Sequence, residues 1–138
     1  MNRRAFLSTA GTAGAAWVAG CQAGGLSESD YDIGMDASAF VPDTYEVTVG
    51  ETVVWGNNST RGHTVTAYEK GIPEDAGFFH SGDAESTSAA REAWESTADG
   101  NVLSGETYAH TFETVGEHDY FCIPHERNGM AGVIVVTE

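Results

Sequence analysis

The segment Cys122-Ile123-Pro124-His125-Glu126-Arg127-Asn128-Gly129-Met130 places a thiolate, an imidazole and a thioether within nine residues. These soft and intermediate donors suit copper, which cycles between Cu(I) and Cu(II). A hard cation such as calcium or magnesium would call for clustered oxygen ligands, and none is organised here. A trigonal copper site needs two imidazoles and one thiolate, with a long axial thioether. The segment supplies one histidine, so the second must come from elsewhere. His63, at the start of a strand-like run after a loop, is the natural donor. The candidate metal ligands are therefore His63, Cys122, His125 and Met130. Pro124 limits the freedom of the loop, and Gly129 permits a turn that aims Met130 inward. Singly, each has a plainer reading: a buried or disulfide-bonded cysteine paired with Cys21, a core methionine, a hydrogen-bonded core histidine. The combination points to a metal.

Rigid elements must hold such a set. From about residue 31 the chain reads as short strands separated by turn signals. Tyr45-Glu46-Val47-Thr48-Val49 alternates, which predicts Tyr45, Val47 and Val49 facing the core. Gly50-Glu51 turns into Thr52-Val53-Val54-Trp55, and Gly56 to Gly62 forms a loop before a predicted strand from His63 to Tyr68. Residues 69–106 are polar and contain one helix candidate, Ser86 to Ser96, with Ala89, Ala90, Ala93 and Trp94 along one side. A connection of this length predicts a crossover carrying its own helix. Thr107 to Glu113 alternates again, Gly116 leads into the strand ending at Cys122, and Ala131 to Thr137 is a β-branched run suited to a buried strand. The expected fold is all-β, a Greek-key β-sandwich with one short helix in a long crossover segment. His110 is predicted as a core histidine beside Tyr108 and Phe112; His80 and His118 are expected at the surface or its boundary.

The 138 residues suit one domain once a leader is set aside. The 21 acidic residues outnumber the 6 basic ones, a formal net charge of −15. Arg3 and Arg4 lie in the leader and residues 1–20 hold no acid, so the remainder carries 4 basic and 21 acidic residues, −17. Nucleic acid is excluded as a partner, because phosphate binding needs clusters of Lys and Arg. An apolar fraction of 41% and plentiful strand-like runs exclude a disordered chain. Abundant acid with a single lysine, Lys70, is the surface of a protein adapted to brine.

Asn2-Arg3-Arg4-Ala5-Phe6-Leu7-Ser8 resembles a twin-arginine export signal. The stretch Thr9 to Gly20 is too short and too weakly apolar for a transmembrane helix, so residues 1–20 read as a signal peptide. Val18-Ala19-Gly20-Cys21 looks like a lipobox, which makes Cys21 the expected lipidated N-terminus. Residues 21–34 would then form a flexible tether and residues 35–138 the copper domain. That arrangement puts the protein on the outer face of the cytoplasmic membrane.

The anchors Phe40-Val41-Pro42, Gly50-Glu51-Thr52-Val53-Val54-Trp55, Gly62-His63-Thr64-Val65, Gly116-Glu117-His118-Asp119-Tyr120-Phe121-Cys122 and the Cys122–Met130 loop resemble the plastocyanin branch of the cupredoxins. Within that branch, they resemble the halocyanins of haloarchaea. The resemblance covers most of residues 35–137 and implies one type 1 copper, with electron shuttling between respiratory membrane complexes. It departs from the family at two places. Thr64 stands where plastocyanins usually have Asn; its N–H can still reach the Cys122 sulfur, but the side-chain tether between loops is expected to differ. Phe121 stands where plastocyanins carry an exposed Tyr, which favours transfer through the edge of His125.

Copper enzymes of the same fold wire the type 1 site to other coppers through histidines flanking the cysteine. Here the neighbours are Phe121 and Ile123, and the chain has no His-x-His pair, which argues against enzymatic chemistry. The alternative is a non-redox copper or zinc carrier, since zinc also accepts two His and one Cys; an axial Met has no obvious value to zinc. A monomer is expected. In molar salt the Debye length shrinks to about 3 Å, so docking to respiratory redox partners is expected to use the apolar Ile123 and Pro124 around His125.

Overall fold

The computed structural model describes residues 26–138; the leader and Cys21 lie outside them. Eight strands are present: β1 (Ile33–Met35), β2 (Phe40–Val41), β3 (Thr44–Thr48), β4 (Thr52–Asn57), β5 (Thr66–Ala67), β6 (Thr107–Thr111), β7 (Gly116–Phe121) and β8 (Ala131–Thr137). One sheet has the order β2-β1-β4-β6 and the other β3-β8-β7-β5. Parallel pairs (β1 with β4, β3 with β8) sit beside antiparallel ones, so both sheets are mixed. The result is the expected sandwich, with one short α-helix among the described residues.

Alternation builds the core. Val53 and Trp55 of β4, Phe112 after β6, His118 and Tyr120 of β7, and Ile134 and Val136 of β8 are all buried between the sheets. Trp55 spans the two layers: its ring meets Tyr120 edge-on at 5.4 Å and also lies 5.6 Å from Tyr108 and 6.3 Å from Phe112. Aromatic pairs at such separations add to the burial of their large apolar area. Gly50 makes the tight turn between β3 and β4 at φ +94.

Four expectations need correction. Ile33 and Gly34 belong to β1 and not to a tether, because β1 pairs with β4 over Ile33–Met35. Val49 is 38% exposed, since β3 ends at Thr48 and Val49 already belongs to the turn. The run His63–Tyr68 is a strand only at Thr66–Ala67; the run meets the crossover through two single bridges, His63 with Val102 and Thr66 with His80. His80 and His118 are buried, not at the surface. His118 alternates inward on β7 and packs edge-on to Phe112 at 5.1 Å, while the crossover folds His80 against β5. His110 faces inward as expected, half-buried against Phe79 and Phe112.

The helix α1 spans Thr87–Thr97, with the Ser86 hydroxyl accepting from the Ala89 N–H as its cap. The Thr87 hydroxyl donates to the Ala67 carbonyl, which seats α1 beside β5. No helix among the described residues is long and apolar enough to cross a membrane. Because Trp55 is fully buried and shared by both sheets, Trp55→Ala is expected to cost about 3–5 kcal/mol, read as a lower denaturant midpoint in equilibrium unfolding.

Candidate metal centre

The loop from Cys122 to Met130 is closed at its base by the β7–β8 ladder, whose last pair is Phe121 with Ala131. One further bond continues that closure, from the Cys122 N–H to the Met130 carbonyl at 3.0 Å. Inside the loop the chain winds through two short 3₁₀ turns over Ile123–Asn128, separated by a kink at His125, where φ is −122 and ψ 15. The second turn ends at Gly129, whose φ of +85 is the left-handed conformation that favours glycine. These bonds fix Cys122, His125 and Met130 relative to one another. Cys122 and Met130 are fully buried, and His125 is half-buried.

His63 arrives from the opposite side, and its placement depends on Asn57 at the end of β4. The Asn57 amide donates to the Arg61 and Val102 carbonyls at 2.6 and 2.9 Å, while its side-chain oxygen accepts from the Ser59 N–H at 2.8 Å. The loop so shaped brings the Ser59 hydroxyl to 3.0 Å from His63 Nε2. That hydroxyl donates to Asn57 at 2.8 Å, so it accepts from Nε2–H and leaves His63 Nδ1 free as a donor atom.

His63 Nδ1 lies 3.5 Å and His125 Nδ1 3.4 Å from Cys122 Sγ, and the three ligand atoms all fall within 4.8 Å of one another. The structure thus brings together three of the four predicted residues at their ligand atoms. The fourth, Met130, is buried beside them and bonds through its backbone to Cys122 and His125. The cluster matches the demand of a type 1 copper site for two imidazoles and one thiolate.

Burial acts in opposite directions on the two kinds of donor, freeing the imidazoles of protons and keeping one on the thiol. Burial, with the neighbouring His125 and Arg61 adding to it, lowers the His63 pKa to about 4. Burial and Arg61 also lower His125. Both rings are therefore neutral at pH 7 and ready to donate. Burial pushes the Cys122 thiol up to about 11, against the opposing pull of the Thr64 and His125 N–H groups. The Thr64 N–H sits 3.5 Å from Sγ, as the sequence allowed. The Thr64 hydroxyl, in place of the usual amide side chain, accepts from the Ile123 N–H at 2.9 Å and supplies the tether between the loops.

Sequence reasoning missed the roles of Asn57 and Ser59. Asn57-Asn58-Ser59 reads only as a loop former, although an Asn followed two residues later by Ser is a common side-chain-to-backbone turn. It also missed the cover on Phe121. Tyr68 stacks on that ring at 4.2 Å, and the Arg91 guanidinium of α1 lies 4.6 Å from its centroid. Arg91 and the Tyr68 hydroxyl both bond Glu126, at 2.6 Å each. Phe121 is thereby fully buried, leaving His125 as the ligand candidate nearest solvent.

Two pH effects follow. With Cys122 a thiol and both imidazoles neutral, loading Cu(II) at pH 7 is expected to release close to one proton. Calorimetry in buffers of different ionisation enthalpy measures that number; a value near zero means the thiol keeps its proton. In the metal-free protein the folded pKa of His63 lies below its unfolded value of 6.5. The unfolded chain then binds the extra proton first, so stability present above pH 6.5 declines as pH falls towards 4. Denaturant midpoints of the metal-free protein at pH 7 and pH 4.5 are expected to show that loss, and a His63→Phe variant to show less of it.

A family model described as copper binding proteins, plastocyanin/azurin family, matches residues 28–137. Plastocyanin of Scenedesmus fuscus is 34% identical over 106 residues, covering 75% of this chain and 94% of that protein. The chloroplastic plastocyanin of Tetradesmus obliquus is also 34% identical over 106 residues, and this chain spans 63% of its length. Among solved structures, amicyanin of Paracoccus versutus superposes with a TM-score of 0.53 at 26% identity, over 75% of this chain and 77% of that one. A purple cupredoxin from Nitrosopumilus maritimus shares the fold at a TM-score of 0.52 and 20% identity, over 77% of this chain and 100% of that one. The chain belongs to the plastocyanin/azurin family of copper-binding proteins and is a plastocyanin-like blue copper protein.

Proposed function

We propose that this protein is a mononuclear type 1 copper electron carrier and not an enzyme, in which His63, Cys122, His125 and Met130 would hold the copper. The observation that carries the reading is the convergence of three soft and intermediate donor atoms within 4.8 Å, on elements already fixed by backbone bonds. Bound copper supplies a one-electron Cu(I)/Cu(II) couple. The chain's own residues do the rest. Ser59 holds the His63 tautomer, the Thr64 N–H faces the sulfur, and the burial of Cys122 and Met130 excludes water. A donor set held this rigidly moves little when an electron arrives.

Electrons would pass between membrane redox complexes of a respiratory chain, with the domain anchored by a lipid at Cys21 on the outer face of the cytoplasmic membrane. The family relationship supports the carrier role. The leader motif supports the location. Docking would occur at His125, flanked by the half-buried Ile123 and Pro124.

The decisive measurement adds Cu(II) to a form of the chain beginning after Cys21, in high salt, with visible and electron paramagnetic resonance spectra recorded. The expected result is an intense blue thiolate-to-copper band with narrow hyperfine splitting, lost in Cys122→Ser and bleached by a mild reductant. A folded, colourless protein that holds zinc tightly would instead make it a metal carrier. For docking, Ile123→Asp is expected to slow electron transfer to the membrane partner at least tenfold at high salt; an unchanged rate in stopped-flow mixing would remove Ile123 from the contact.

A further inference from the structure

Outside the ligand candidates, one polar chain crosses the interior from the cysteine loop to the crossover segment. The Ile123 N–H donates to Thr64 Oγ1 at 2.9 Å. Thr64 Oγ1 lies 2.9 Å from Thr66 Oγ1, which lies 2.9 Å from His80 Nδ1. The far ring nitrogen, His80 Nε2, is 3.2 Å from the Asp99 carboxylate. Thr64 and Thr66 are fully buried and His80 is 7% exposed, so water does not compete along the row. The ring is closely seated: a Cβ on Gly100, which has φ +87, would come 2.8 Å from its Cε1.

The direction of every bond in this row follows from its ends. Burial works against a charge on Asp99, but the Asp83 and Ala84 N–H groups and His80 outweigh it and hold the carboxyl below its ordinary range. An ionised carboxylate only accepts, so Nε2 carries a proton, and in the uncharged form of the ring Nδ1 is then an acceptor. The Thr66 hydroxyl must then donate to Nδ1, and the Thr64 hydroxyl to Thr66. The Thr64 oxygen is left as the acceptor that the Ile123 N–H needs. Residue 64 thus grips the cysteine loop twice, by its N–H on the sulfur and by its hydroxyl on the next amide.

We propose that Thr66, His80 and Asp99 are positioning residues for the metal centre, which orient the Thr64 hydroxyl so that the Cys122 loop is held against residue 64. The proposal rests on the type 1 copper reading above. If the onward acceptor is removed, the Thr64 hydroxyl is free to turn, the Ile123 contact loosens, and the Thr64 N–H moves off the sulfur. A hydrogen bond to the thiolate favours the more negative, reduced site, so its weakening lowers the reduction potential.

The test compares Thr66→Val, which keeps the shape and deletes the hydroxyl, with Thr66→Ser, which restores it. His80→Leu breaks the same row one step further from the metal and serves if Thr66→Val does not fold. Amide exchange by NMR, in the metal-free and the Cu(I) protein, is expected to show Ile123 exchanging about fivefold faster or more in Thr66→Val and His80→Leu, the loss of one hydrogen bond. The Val133 amide, bonded to the Asp43 carbonyl away from the row, is the internal control. The midpoint potential of the copper-loaded variants is expected to fall, and Thr66→Ser to recover both readouts. Unchanged Ile123 exchange, an equal rise at Val133, or an unchanged potential in a blue, folded variant overturns the proposal. A wild-type chain that never turns blue defeats the electron-carrier reading instead, and Ile123 exchange in the metal-free protein then decides the hydrogen-bond row alone.

Discussion

A sulfur fully shielded from water, facing two uncharged imidazoles, is the constraint around which this molecule is organised. Burial of a thiol disfavours its charged form, and burial of two histidines disfavours theirs. Without a cation the thiol keeps its proton while both imidazoles stay free of theirs. The arrangement is fixed from outside the donor atoms, by the backbone bonds of the β7–β8 ladder and of Cys122 with Met130 on one side and by the side chains of Asn57 and Ser59 on the other.

Much of this was legible in the sequence, for reasons that differ by element. The ligands on the loop were visible because covalent spacing alone places Cys122, His125 and Met130 together between two strands. The alternation of β3 and β6 and the β-branched run of β8 report a surface half turned to a core. His63 was reachable by chemical need, since one imidazole was missing. Thr64 was located, and its N–H contact with the sulfur anticipated, because a backbone donor survives a change of side chain.

The rest depends on partners far away in the chain. Nothing local marks Ile33–Met35 as a strand, because its three residues gain their meaning only beside β4. The run from His63 to Tyr68 looks like one strand from its pattern, yet the crossover offers it only single bridges at Val102 and His80. His80 reads as a surface histidine in a polar segment; its burial follows from hydrogen-bond partners supplied by Thr66 and Asp99. The crossover itself proves to be structural. It delivers Phe79 and Val102 to the core, His80 to the threonines behind the cysteine loop, and Arg91 to the ring of Phe121.

The sparse cations have a geometry of their own. Of the four basic residues after residue 20, Arg61 lies two positions before His63 and bears on both candidate histidines, Arg127 sits in the ligand loop, and Arg91 lies over Phe121. Arg91 is neutralised by Glu126, whereas Arg61 and Arg127 form no salt bridge among the described residues. Scarce positive charge is thus spent beside the donor cluster, where Arg61 helps to keep a proton off both imidazoles before any metal arrives.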